Sequence, residues 1–528
     1  MHATLLFTVF MDATAQETYD ADLAGLDFSL SHTTEGWQLS AGGYSERLAD
    51  LATHILDIFF NQSHVFLQHK FVTAAQDRLV RNLNSYLLSN RADTIANYYT
   101  VQLLEGLSGG VDEKIIAVEN ITLDTLKQYY QQLVADQNGT WDCLVMGNVA
   151  SDDATAFYQK VQNVGGQPKG GWSSGSVQRG LPISSSTSLH FPSLNKSEEN
   201  GAVLVTFQSP IRGFNGAQQQ QQATHHCPDE SLRYSSALRL ISHMLREPLF
   251  DELRTKQQLG YIVSSYYDLN FDSAISNMND ADNTINTSTT TFVDSIVVSV
   301  LSQKIPPEEI LIRIDEFLTS FRDTLAEMPQ DEIRHHQDAL SKKMLKPVQK
   351  LGAESSRWFS KIRRYAPEIS SSYDDNAHVK EIPWNSVDQL AEGIRQLQKE
   401  DLVQVWDAVI TGKTRARIVS HVYGNKFPMT TSTGVLGGGN WFFLKRRIQN
   451  METLLNARRS LPSYTQKSSC SKNDWFVRMQ RRRMGMAAVA AVGVSLGIYA
   501  LSFPDKKRTE VSDSDGLWSR SIRMFLRR

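Results

Sequence analysis

Arg246-Glu247-Pro248-Leu249-Phe250-Asp251-Glu252-Leu253-Arg254-Thr255-Lys256-Gln257-Gln258-Leu259-Gly260-Tyr261-Ile262-Val263 reads as a helix that stops at a glycine and passes directly into a strand. Upstream, Leu238, Ile241 and Leu245 recur on one helical stripe. Gly260 suits the position just past a helix C-terminus, and Tyr261-Ile262-Val263 opens a β-type run. Arg254 and Tyr261 flank the corner, where a guanidinium and a phenol both reach toward a peptide carbonyl. On the residues alone, the plainer arrangement has Arg254 paired with Asp251 or Glu252 and Tyr261 covering the sheet.

The segment resembles the C-terminal half of the insulinase (inverzincin) family of zinc metallopeptidases. Other stretches carry the same likeness in order: Tyr19 to Leu26, Gly43-Tyr44-Ser45, Ser295 through Pro306-Pro307, His336 to Leu340, and Lys346-Pro347 with Trp358. Together they extend over roughly residues 1 to 425, far more than a short pattern matched by chance. The resemblance implies an α+β chain of two insulinase-type domains, each an antiparallel-rich sheet with helices packed on it. It also implies that Tyr261 donates a hydrogen bond to the transition state, and that Arg254 and Tyr261 bind substrate.

Zinc enzymes of this family carry H-x-x-E-H on a helix plus a distant glutamate, a donor set that leaves one position open for water. That motif is absent here. His64 and His69 have the wrong spacing and no glutamate; His243 precedes Glu247 without a second histidine; His225-His226 and His335-His336 are bare pairs. The expectation is therefore that no metal is bound by this chain, and that zinc belongs to a partner half.

With 528 residues the chain is long enough for two or three domains with full cores. Charge is distributed unevenly. From Lys426 onward there are 19 Lys and Arg against 6 Asp and Glu, which leaves 35 against 51 in the preceding body. An acidic body argues against nucleic acid as a partner and favours basic peptides on approach. Cys143, Cys227 and Cys470 are far apart and form no C-x-x-C pair, so a disulfide framework is not expected and a reducing compartment is.

Met1 to Phe10 is apolar but lacks a basic leader, and reads as part of the fold. Met484 to Phe503 is a charge-free apolar run between Arg481-Arg482-Arg483 and Lys506-Lys507-Arg508. Its length predicts a C-terminal transmembrane helix, a single-pass anchor that leaves the body on the cytosolic side. Ile522, Met524, Phe525 and Leu526, among arginines, suggest contact with an anionic lipid surface.

Composition divides the chain into a first domain at 1–162, a Gly/Ser-rich linker at 163–189 and a second domain at 190–425. A basic linker at 426–483, the apolar run at 484–503 and a basic tail at 504–528 follow. Leu48, Leu51, Ile55 and Ile58 form a helical stripe, Trp141 to Val149 reads as a buried strand, and Ala202 to Phe207 as the first strand of the second domain. Both domains follow a similar helix and strand order, consistent with duplication. Gln218 to Gln222 and Asp272 to Thr291 interrupt the second domain as polar insertions.

These readings predict the non-zinc half of a metalloendopeptidase, inactive alone. It would bind peptide opposite a zinc site supplied by another chain or a missing N-terminal half, as part of a homo- or hetero-oligomer. The alternative is a non-catalytic, membrane-anchored peptide-binding or scaffold protein.

Overall fold

The computed structural model describes residues 1–32, 36–104, 109–135, 140–165, 181, 184–209, 228–271, 292–370, 386–429, 444–448, 454, 497–499 and 519–527. In chain order the first domain contains α1 (His2–Thr14), α2 (Tyr19–Leu23), β1 (Asp27–His32), β2 (Gly36–Tyr44), α3 (Ser45–Asn61), α4 (Ser63–Phe66) and α5 (His69–Ser89). It continues through α6 (Ala92–Leu104), α7 (Val111–Glu119), α8 (Leu123–Ala135), β3 (Thr140–Gly147) and α9 (Ser151–Gly165). The second contains β4 (Ser185–Pro192), β5 (Gly201–Gln208), α10 (Pro228–Phe250), β6 (Ile262–Phe271), β7 (Phe292–Ser302) and α11 (Pro307–Glu327). After these come α12 (Gln330–Leu345), α13 (Leu351–Ser370), α14 (Ser386–Gln396), α15 (Lys399–Trp406) and β8 (Ala416–Tyr423). Three further strands follow: β9 (Leu444–Ile448), β10 (Gly497–Tyr499) and β11 (Ser519–Arg527).

The periodicities translate into packing. Leu48, Leu51, Ile55 and Ile58 are buried on α3, and Leu5, Leu6, Val9 and Phe10 turn α1 into a core helix, as expected of Met1 to Phe10. Both pack with Trp37, Phe59, Phe66 and Trp141 into one aromatic-rich core. In the second domain, Val203, Val205 and Phe207 meet Leu238, Ile241 and Leu245 of α10 on one face of the sheet. Ala202 and Leu204 point the other way and meet Ile95, Tyr99 and Leu103 of α6, a helix from the first domain. A strand buried on both faces reads as a continuous apolar run, and this is why β5 was legible.

The two sheets run β1-β2-β11-β3-β10 and β6-β7-β5-β8-β4-β9. The strand that leads the second domain is β4, Ser185–Pro192, whose Ser-rich start lies within the stretch expected to be linker. Its serines hide the β signal, although Leu189 and Phe191 are buried. Likewise Leu444–Ile448, within the expected basic linker, pairs with β4 as an edge strand.

The expected transmembrane helix and membrane anchor are corrected. Among the described residues no helix is long and apolar enough to cross a membrane. Most of the 484–503 run lies outside the described residues, but Gly497–Tyr499 within it is a strand running parallel to β3. The tail expected to rest on lipid instead supplies β11, which pairs antiparallel with both β2 and β3. The two expected polar insertions lie outside the described residues.

Candidate functional site

The corner between α10 and β6 is built differently from its sequence reading. Pro248 lies inside α10 and withdraws the donor that would serve the carbonyl four residues back. The helix then widens into a π-helical turn at Asp251–Lys256, a feature frequent at functional sites. The left-handed position falls on Gln258, with φ 51°, rather than on glycine. Across it the Leu259 N–H donates to the Leu253 carbonyl at 3.0 Å and closes the helix end.

Gly260 serves a different purpose from the expected helix cap. A Cβ there would lie 1.7 Å from the carbonyl oxygen of Leu301 on β7, so the backbone can approach that strand only without a side chain. Ser302 Oγ donates to the Leu259 carbonyl and pins the same spot. Two residues after Gly260, Ile262 enters the ladder opposite Leu301. Tyr261 is therefore held by backbone on both sides.

That leaves the Tyr261 side chain 79% exposed. The guanidinium carbon of Arg254 lies 5.0 Å from its ring centroid and 4.8 Å from that of Phe250, stacked between two aromatic rings. The plainer arrangement, with Arg254 bound to a neighbouring carboxylate, does not occur. Lys256 takes Asp251 at 3.1 Å and Glu252 at 3.2 Å, and Gln257 adds a hydrogen bond to Glu252 at 3.1 Å. The Gln257 and Lys256 hydrogen bonds hold the Glu252 carboxyl below its ordinary range, while Asp251 and Glu252 hold Lys256 above its own. Among the described residues Arg254 makes no ion pair, and its guanidinium lies beside the phenol ring.

A third group comes from the first domain. Arg91, just before α6, is held by Asp93 through hydrogen bonds of 3.1 and 3.0 Å. Asp93 raises its already high pKa, with smaller contributions from Glu198 and Tyr261, so the guanidinium lies within electrostatic reach of the phenol. Buried Glu198 ties the two domains here. Its carboxylate accepts from the backbone N–H of Ala92 at 3.2 Å, at the start of α6, and from that of Asn200 at 2.8 Å. Sequence reading missed Arg91 and Glu198, because contacts across about a hundred residues or more leave no local pattern.

The described histidines beyond this corner fall into separate pairs. His243 on α10 meets His336 on α12 edge to face at 5.7 Å. His190 and His421 stack at 4.3 Å inside the second sheet, with His190 Nδ1 2.7 Å from Tyr423 Oη. Among the described residues no three His, Cys, Asp or Glu side chains come together in a way that holds a metal ion.

Two family models match the chain. The middle or third domain of peptidase M16 covers residues 1–115, and the peptidase M16 inactive domain covers residues 120–340. Insulin-degrading enzyme from Homo sapiens is 23% identical over 433 residues, covering 80% of this chain and 36% of the relative. A-factor-processing enzyme from Saccharomyces cerevisiae is 21% identical over 427 residues, with the same coverage of each. The crystal structure of pitrilysin has the same fold at a TM-score of 0.63 and 17% identity, over 88% of this chain and 42% of that one. The chain thus spans about a third of the length of these curated relatives.

Proposed function

The chain belongs to the peptidase M16 (insulinase) family through its middle and inactive C-terminal domains, and from that premise we propose that it forms the substrate-facing wall of a metalloendopeptidase whose hydrolytic centre lies on another half. Tyr261 donates its hydroxyl to the scissile carbonyl oxygen as negative charge develops there. Arg254 holds a neighbouring peptide carbonyl, and Arg91 adds positive potential from the first domain. Zinc is assigned to the other half, and no step of its chemistry falls to the residues here.

One observation carries this reading. Tyr261 is a mostly exposed phenol on a backbone fixed by Gly260 and Ser302, stacked on an arginine whose acidic neighbours are already taken. A donor that needs no reorganisation as charge develops suits transition-state stabilisation. Substrate is a peptide, bound in extended form, and basic segments are favoured by the acidic body.

The test is reconstitution. The purified chain, mixed with a zinc-bearing half from this family, should cleave a quenched peptide, and Tyr261→Phe should lower kcat more than it alters KM. Peptide binding without any restored cleavage would instead favour the non-catalytic peptide-binding alternative.

A further inference from the structure

Helices α5, α6 and α7 of the first domain enclose a cleft of about 450 Å³, and its lining includes no residue of the α10–β6 corner. That volume lies in the span of about 300 to 1,000 Å³ usual for small-molecule sites. Leu79, Leu83 and Tyr86 recur at helical spacing on α5 and form one wall. Val101 of α6 and Val111 of α7 extend the apolar lining. The neighbouring face of α6, with Ile95, Tyr99 and Leu103, packs on the second sheet and holds this helix in place.

Two polar groups give the cleft its chemistry. Tyr98 lines it and is only 8% exposed. Its Oη accepts from the Val111 N–H at 3.0 Å, and among the described residues its own proton meets no acceptor. A buried hydroxyl in that state gains from an acceptor brought to it. Burial raises the pKa of the phenol, so it stays a donor at neutral pH. Tyr86 meets the Tyr98 ring edge to face at 5.7 Å and steadies it. Lys114, three residues after Val111 and so on the same side of α7, is half-buried and also lines the cleft. It is the one cation in a described lining that contains no carboxylate, and its neighbours Asp112 and Glu113 are exposed outside that lining. An apolar body with one negative charge complements such a site.

We propose that the cleft between α5, α6 and α7 is a binding site for a small amphipathic carboxylate, whose apolar body lies against Leu79, Leu83 and Val101 and whose carboxylate accepts from the Tyr98 hydroxyl and the Lys114 ammonium. The head group completes the hydrogen bonding of Tyr98 through a charge-assisted bond. The tail covers apolar wall that water otherwise wets. Neither contact involves a second half or the peptide-binding corner, so the chain alone suffices to test the site.

Decanoate is the probe, with decanol and decylamine as partners of the same tail and a different head. Isothermal titration into the full chain should show a single site for decanoate, and the alcohol and the amine should bind about tenfold more weakly or less. Lys114→Gln should weaken decanoate about tenfold while Lys114→Arg keeps most of the affinity. Leu83→Trp, which fills the cleft from its α5 wall, should abolish binding. Tyr98→Phe should also weaken it about tenfold, and because that change strips Val111 N–H of its acceptor, the Lys114 pair carries the test if α7 loosens. A diazirine-bearing decanoate should label peptides from α5 and α6. Equal affinity for the three head groups, decanoate affinity unchanged by Lys114→Gln or by Leu83→Trp, label confined to other segments, or no binding up to about 1 mM would each overturn the proposal.

Discussion

The guanidinium of Arg254 is stacked between the rings of Phe250 and Tyr261, at 4.8 and 5.0 Å from their centroids, while Lys256 occupies both nearby carboxylates. The arginine is thereby oriented without being consumed. In the reconstituted enzyme Arg254→Ala should raise KM for peptide by about tenfold, the loss of a charged hydrogen bond and its stacking. Arg254→Lys should recover only part of it, because an ammonium lacks the flat fork that stacks and donates together. Steady-state kinetics on one quenched peptide measures both, and equal KM for all three proteins would remove Arg254 from the substrate wall.

Gly260 and Gln258 should respond in opposite directions. Gly260→Ala drives a methyl into the Leu301 carbonyl and should destabilise the second domain by about 3 kcal/mol or more. Gln258→Gly relieves a left-handed non-glycine residue and should stabilise by roughly 0.5–1 kcal/mol. Denaturant midpoints at constant slope check the pair.

Arg322 on α11 grips Asp407 through two hydrogen bonds of 2.8 Å, and its guanidinium is the main reason the Asp407 carboxyl is held below the usual carboxylate range. A depressed folded pKa contributes stability above the unfolded value near about 3.9, and that contribution is lost as pH falls through the folded value. Both side chains are more than a third exposed, so Asp407→Asn should cost only roughly 0.5–1 kcal/mol at pH 7 after solvent screening. The difference between wild type and variant should be full at neutral pH, shrink in melts as pH falls below the unfolded carboxylate value, and vanish once the folded carboxyl is protonated.

Cys143 has the opposite sign. Burial, then the neighbouring Asp142, pushes its thiol up to about 12. Its contribution to stability is complete below the unfolded thiol value of about 8.5 and is lost as pH rises toward the folded value. At pH 8 the native thiol should resist iodoacetamide, and its labelling rate should track unfolding by denaturant rather than the thiolate fraction of an exposed cysteine. Rapid labelling at Cys143 itself in the native chain, read by peptide mapping apart from Cys227 and Cys470, would contradict this burial.

Much of the fold was legible because its elements are amphipathic or fully apolar. The stripe Leu238, Ile241 and Leu245 and the run from Ala202 to Phe207 announce what they become. The Arg254 and Tyr261 corner was likewise found from its sequence, although Gly260 acts by close approach to Leu301 and not as a cap. Less visible were β4, whose serines imitate a linker, and β11, whose alternation of Arg with Ile, Met and Leu suits a lipid surface as well as a sheet centre. Local pattern fixes neither a partner strand nor a contact such as the Ala92 N–H with Glu198, because both depend on residues far away in the chain.

Reconstituted turnover tests the central claim most directly. The chain alone should show no chelator-sensitive cleavage of a quenched peptide; with a zinc-bearing half it should, and Tyr261→Phe should then lower kcat by about 10²-fold while the chain's own Tm stays unchanged. Chelator-sensitive cleavage by the isolated chain, with stoichiometric metal bound to it, would contradict the account, as would a reconstituted rate indifferent to Tyr261→Phe.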